Sequence, residues 1–283
     1  MACLSAPDFN LRKTLECGQC FNWREHSSKE NCFYSVIYGK PVKARQHGTK
    51  LFLGGLTAKQ ATHYFALDHP LKKIVGAIEC DEKMRAAVKH SEGIRILRQD
   101  PWECAVSFIA SQNSNIPRIT STLEKIREKY GDAVSRDGVT CFAFPTPRQL
   151  SRAPQAALKK LGLGYRARFV KKFAEYVARH DEYFLELKKL CYEEARDELM
   201  KHLGVGRKVA DCICLYSLGK LEAFPVDRWI KRKMLELYGA EIKAFAGKRK
   251  ANEKEIGDFA RAKFGGFAGY AQQYLFFWAK ENG

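Results

Sequence analysis

At 283 residues, with 46% hydrophobic and 29% charged side chains, the chain has the make-up of a folded globular protein of two or three packed subdomains, which excludes wholesale disorder. Its 49 Lys and Arg against 32 Asp and Glu leave +17 at neutral pH, an excess that favours a polyanionic partner through counterion release. Nucleic acid is expected rather than a membrane surface, since the sequence carries no apolar run of roughly 18 residues and no N-terminal signal pattern.

In chain order, the first spacing with chemical content is Cys17-Gly-Gln-Cys20, half of a zinc site. No second pair follows at a suitable interval, Cys212 and Cys214 are one residue apart, and no four-cysteine iron–sulfur spacing is present. No metal is therefore expected. The ten cysteines are scattered through a chain too large to need disulfide staples, so reduced thiols in an intracellular compartment are expected, cytoplasmic in a prokaryote or nuclear in a eukaryote.

Short alternating apolar pieces at 33–38, 41–46 and 50–55, separated by Gly39-Lys40 and His47-Gly48-Thr49, predict β-strands in a hairpin or meander. After about residue 57 the period becomes helical. Helices are expected over 81–89, 102–111, 119–130, 154–161, 166–179, 192–202, 207–218, 228–238 and 270–281. Asp100-Pro101, Phe144-Pro145-Thr146-Pro147, Gly162-Leu163-Gly164 and Gly204-Val205-Gly206 punctuate them. Lys248-Arg249-Lys250 is read as a solvated face of a polar, helix-like stretch.

The stretch from His202 to Cys212 is the most informative. Gly204 and Gly206 around Val205 close a tight turn between helices, and the amides there and at the next helix start suit a DNA phosphate without reading bases. Nineteen residues beyond Lys208, Phe224-Pro-Val-Asp227 presents a carboxylate after a Leu218-Gly219-Lys220 break. Hairpin, lysine and downstream Pro-Val-Asp together resemble the helix-hairpin-helix DNA glycosylase superfamily. Within it, the chain is most similar to the 8-oxoguanine DNA glycosylases, through 15–23, 98–103, 107–116, 161–168, 205–214 and 269–272.

The resemblance implies an α+β, mostly α fold: an antiparallel β N-terminal subdomain over 1–95, a helical subdomain over 96–225 with the hairpin at about 192–218, and C-terminal helices over 226–283 completing a lesion pocket in the cleft. It implies a bifunctional DNA glycosylase and lyase acting as a monomer on duplex DNA with 8-oxoguanine, without cofactor. Lys208 is the amine that captures C1′ of the sugar as an imine, resolved by β-elimination. A free lysine is charged at neutral pH, so burial or a nearby cation is expected to help this one shed its proton. Asp227 stabilises the cationic sugar and positions the amine, and it also stands where a cap for a helix starting at Arg228 is expected.

The target base must leave the stack to be reached. On the last helix Phe267, Ala271, Tyr274 and Trp278 share one face, read as core, while Gln272 and Phe276 lie four apart on the other, where a purine could stack on the ring and bond the amide. The resemblance gives them that role, with Cys212 as the opposite wall. One turn beyond Lys208, Cys212 allows a lysine–thiolate pair, although alone it reads as a buried inert thiol. The family's carbonyl that detects the N7 hydrogen of the lesion maps to Gly18, and its opposite-base and wedge residues map to Asn113, Arg118, Tyr165 and Arg166. Arginine donors suit the acceptors of cytosine.

The chain departs from the family at Leu203, commonly proline, at Arg228-Trp229 after the carboxylate, and at Ala279, where an acid can stand; it ends seven residues after Phe276, leaving no room for an appended tail. Two other readings compete. A glycosylase for another lesion, such as an alkylated purine, has no need of Lys208 if monofunctional; in a non-catalytic DNA-binding module the Lys208/Asp227 pair is accidental.

Overall fold

The computed structural model describes residues 2–26, 29–247 and 250–282; Lys248 and Arg249 of the basic triplet lie outside the described residues. The N-terminal part is a five-stranded antiparallel sheet of β1 (Ala2–Ser5), β2 (Arg24–Glu25), β3 (Cys32–Ile37), β4 (Lys40–His47) and β5 (Lys50–Gly54), in the order β1-β5-β4-β3-β2. Tyr38 and Gly39, both at positive φ (53° and 70°), make the two-residue turn that matches strand twist and joins β3 to β4. Val42, Ala44, Leu51 and Leu53 alternate onto the inner face and bury against α1 (Leu11–Glu16) and α2 (Ala58–Tyr64) in a small core.

The rest is helical: α3 (Leu71–Ile78), α4 (Glu82–His90), α5 (Pro101–Ser111), α6 (Ile116–Tyr130), α7 (Pro147–Arg152), α8 (Gln155–Leu158), α9 (Arg166–Val177), α10 (Tyr183–Lys189), α11 (Tyr192–Met200), α12 (Arg207–Ser217), α13 (Arg228–Ala246), α14 (Glu253–Phe264) and α15 (Ala268–Asn282). A second, larger core unites α3 and α4 with α5, α12 and the last helix. Asp100 caps α5, with Pro101 in its first turn, and α5 packs on α12, where Phe108 stacks on Tyr216 at 5.3 Å between centroids.

Several elements differ from expectation. A hairpin, β6 (Ala133–Arg136) and β7 (Val139–Phe142), interrupts the helical region and leans on the sheet, Arg136 Nε donating to Pro41 O at 2.7 Å and Lys43 pairing with Asp137 at 2.8 Å. Its strands are four residues each, and their apolar residues do not alternate along the sequence, which hides them from pattern reading. The helix expected over 154–161 forms, but beyond Leu158 it widens to a π-helical turn over Lys159–Leu163, which Gly162 at φ 111° breaks. The helix expected over 228–238 runs on to Ala246 through a kink at Tyr238. The last helix is not two-faced: Gln272 and Gln273 are as buried as Ala271 and Tyr274, since α15 runs through the larger core with neighbours on every side.

Candidate active site

Six residues, 201–206, join α11 to α12. Gly204 takes φ +83°, and a Cβ there would lie 2.3 Å from the Phe169 ring, so only glycine fits. Its carbonyl accepts from Gln112 Nε2 at 2.9 Å, tying the turn to the end of α5. Val205 is buried and its amide donates to His202 O, which leaves this residue a packing role on its side-chain side. Gly206 begins α12 with no side-chain cap, so the amides of the first turn, unpaired within any helix, are available to an anion. Leu203 stands 46% exposed without preventing the turn from closing.

Lys208, the second residue of α12, is half-buried. Its Nζ donates to Ser111 Oγ at 3.3 Å and lies 5.1 Å from the centre of the Phe108 ring. Ser111 Oγ in turn donates to Phe108 O at 2.8 Å. Asp227 caps α13, Oδ1 accepting from the Ile230 amide at 2.8 Å, so the expected cap forms and fixes the carboxylate at the helix start. Lys208 and Asp227 both line an open cleft of about 410 Å³, with Ser111, Asn113, Ser114 and Trp229 around them.

The same two residues also line a recess of about 40 Å³ together with Gly18, Cys212, Gln272 and Phe276. That volume holds a few waters and no purine. Cys212 is buried, and burial pushes its thiol up to about 12 despite the Lys208 charge, so it faces the amine as a neutral thiol and not as the thiolate of an ion pair. Gly18 takes φ +86°, and a Cβ there would meet Phe276 Cε1 at 3.0 Å and Ile116 Cδ1 at 3.3 Å.

The loop carrying Gly18 is pinned on both sides. Gln19, fully buried, donates from Nε2 to Thr14 O (2.9 Å) and Arg95 O (2.8 Å) and accepts from the Leu97 amide (2.8 Å). Gln273 Nε2 donates to Cys17 O at 3.0 Å. Among the described residues the Gly18 carbonyl itself takes no hydrogen-bond donor. Cys17 and Cys20 are buried thiols bonded to Thr14 O and Leu15 O.

At the rim Asn113 is exposed at φ +48°, a left-handed conformation that asparagine tolerates. Arg118 is exposed on the first turn of α6, its amide held by Asn115, and Tyr165 is 55% exposed after Gly164. Arg166 lies deeper than these three. It is buried, and four of its donors go to backbone carbonyls of Leu163, Ala110, Gln112 and Gly162, because the ends of α5 and of the turn after α8 leave those oxygens without helical partners. Trp229 is 41% exposed with the Arg232 guanidinium 4.8 Å from its ring centre, and Ala279 is buried, which leaves no space for an acid there.

Sequence reasoning passed over Ser111, Gln19, Tyr216 and Gln273. Ser111 and Gln19 sit inside stretches already singled out, and Tyr216 lies one turn after Cys212, a spacing that could have found it. Nothing in the sequence marks Gln273.

Residues 2–105 match the family model described as 8-oxoguanine DNA glycosylase, N-terminal domain, and residues 106–256 that of the HhH-GPD superfamily base excision DNA repair protein. A probable N-glycosylase/DNA lyase of Methanothermobacter thermautotrophicus is 31% identical, the match covering 98% of this chain and 95% of that protein. The N-glycosylase/DNA lyase of Saccharomyces cerevisiae is 35% identical over 96% of this chain and 83% of its own length. The Clostridium acetobutylicum 8-oxoguanine glycosylase/lyase, solved with duplex DNA carrying cytosine opposite 8-oxoguanine, superposes with a TM-score of 0.90 at 34% identity, covering 98% of this chain and 93% of that one.

Proposed function

From the premise that this chain belongs to the HhH-GPD superfamily of base excision DNA repair proteins and is a DNA glycosylase with lyase activity, we propose that it excises 8-oxoguanine, preferentially opposite cytosine, through a Schiff base on Lys208. The observation that carries this reading is that Lys208 and Asp227 line both the open cleft and the recess behind it. A nucleotide turned out of the duplex has its sugar in the cleft and its base in the recess, whose walls part to admit it, with amine and carboxylate at the junction.

The steps follow from the groups present. Lys208 Nζ passes a proton to the departing base and bonds C1′ as the C1′–N9 bond breaks, its electron pair leaving on the base. Asp227 offsets the positive charge that builds on the sugar. Opening of the ring gives the iminium; loss of a C2′ proton expels the 3′ phosphate and nicks the strand. In the recess the unpartnered Gly18 carbonyl accepts from the N7 hydrogen that the lesion has and guanine lacks, Phe276 and the neutral Cys212 thiol enclose the ring, and Gln272 bonds its edge. Asn113 and Arg118 take the orphaned cytosine and Tyr165 fills the gap. Arg166, as a brace, holds the rim on which they stand. The amides at the start of α12, from Gly206 on, seat the backbone phosphate, and Gly204 and Val205 shape the turn that presents them.

The test is covalent trapping. Incubated with duplex holding 8-oxoguanine opposite cytosine and then borohydride, the protein is expected to form a stable adduct, which Lys208→Gln abolishes while duplex binding persists. An adduct that survives this substitution refutes the assignment of the nucleophile.

A further inference from the structure

Behind the recess runs a chain of buried polar groups. Gln273 is fully buried, and because its Nε2 donates to Cys17 O at 3.0 Å, its other end must be the oxygen, which accepts from the Tyr216 hydroxyl at 2.7 Å. Tyr216 lines the recess, and burial holds its phenol well above the usual range, so the hydroxyl keeps its one proton. The Gln272 amide oxygen stands 3.3 Å from that same hydroxyl. One proton cannot serve both oxygens at full strength, and the shorter contact belongs to Gln273. What the Tyr216 oxygen still offers is lone pairs. A half-turn of the terminal Gln272 torsion gives them an N–H donor and turns the Gln272 oxygen toward the base, so that every group in the chain is satisfied.

We propose that the relay from Cys17 through Gln273 and Tyr216 sets Gln272 as a hydrogen-bond acceptor facing the base, and thereby selects a guanine-type over an adenine-type edge among purines oxidised at C8. This rests on the oxidised-purine reading above. A guanine-type edge carries N1–H and N2–H donors that the acceptor meets. An adenine-type edge presents a lone pair at N1, leaving two acceptors face to face where the base fills the recess. Tyr216 and Gln273 touch no reacting atom; they are positioning residues for Gln272.

The experiment compares single-turnover excision of 8-oxoguanine and of 8-oxoadenine, each opposite cytosine in the same duplex, by the wild type, Tyr216→Phe and Gln273→Met. The two lesions share C8=O and N7–H and differ at the edge that Gln272 reads. In both variants the ratio of 8-oxoguanine to 8-oxoadenine rates is expected to fall at least about tenfold, through slower 8-oxoguanine excision. A packing role alone lowers the melting temperature and slows both lesions by one common factor; an unchanged ratio in the variants overturns the proposal. Should Tyr216→Phe fail to fold, Gln273→Met reads the same relay from its other end. Failure of the wild type to excise 8-oxoguanine at all refutes the substrate reading, whereas wild-type excision with unaltered variant ratios refutes the relay alone.

Discussion

Gly18 combines a left-handed backbone with a ring 3.0 Å from where its first side-chain carbon would sit. An alanine there costs about 1–2 kcal/mol in backbone strain alone, lowering the melting temperature by roughly 2–8 °C in a chain of this size. It also pushes Phe276 and Ile116 across the recess. Gly18→Ala is therefore expected to lose at least about tenfold in 8-oxoguanine excision, with binding to undamaged duplex changed less than about twofold. Thermal scans, single-turnover rates and binding titrations check the three parts; full activity in the variant removes Gly18 from the recognition site. Asp227 shows how one carboxylate serves two ends: a single oxygen caps α13, and the cap is what orients the group toward the cleft.

At the scale of elements, the turn between α11 and α12 separates two glycines that look alike in sequence. Gly204 is wedged against Phe169 on α9, the helix whose start carries Tyr165, whereas Gly206 has nothing within 4 Å of a modest side chain and an ordinary φ of −86°. Gly204→Ala is expected to destabilise by about 2 kcal/mol or more, and Gly206→Ala by less than about 0.5 kcal/mol. Denaturant melts of the pair check this, and equal losses would mean the turn is not packed as described. The same contrast explains what was legible beforehand. α5, α6, α9, α11 and α12 carry caps, prolines or strong periodicity and were readable to within a few residues; Lys208 and Asp227, singled out by their spacing, do line one cleft. The short helices α1, α2, α7 and α10 and the β6–β7 hairpin have too few residues to display a period, whereas α3 buries Leu71, Ile74 and Ile78 at helical spacing and could have been found. Arg166 is where the structure adds what the sequence hides. A charged residue in a basic, exposed-looking loop reads as a ligand contact, yet helix ends that converge nearby supply it with four carbonyls, a fact that exists only in three dimensions.

Across the whole molecule, the net charge of +17 sets how the protein meets DNA before any base is read. If the hairpin, α6 and the cleft rim together displace counterions from about four phosphates, affinity for undamaged duplex should fall about a hundredfold between roughly 50 and 200 mM salt. A nearly flat salt dependence in fluorescence-anisotropy titrations would speak against backbone contacts as the main source of binding. The recess has a consequence for this search. On the reading proposed above, a normal guanine expelled from a passing duplex finds no vacant lodging: the lining, the Phe276 ring with it, has to yield while the emptied stack draws the base home. If the recess is where the base goes, intact nucleotides are returned quickly, and a purine is cut only when its own contacts hold that ring aside.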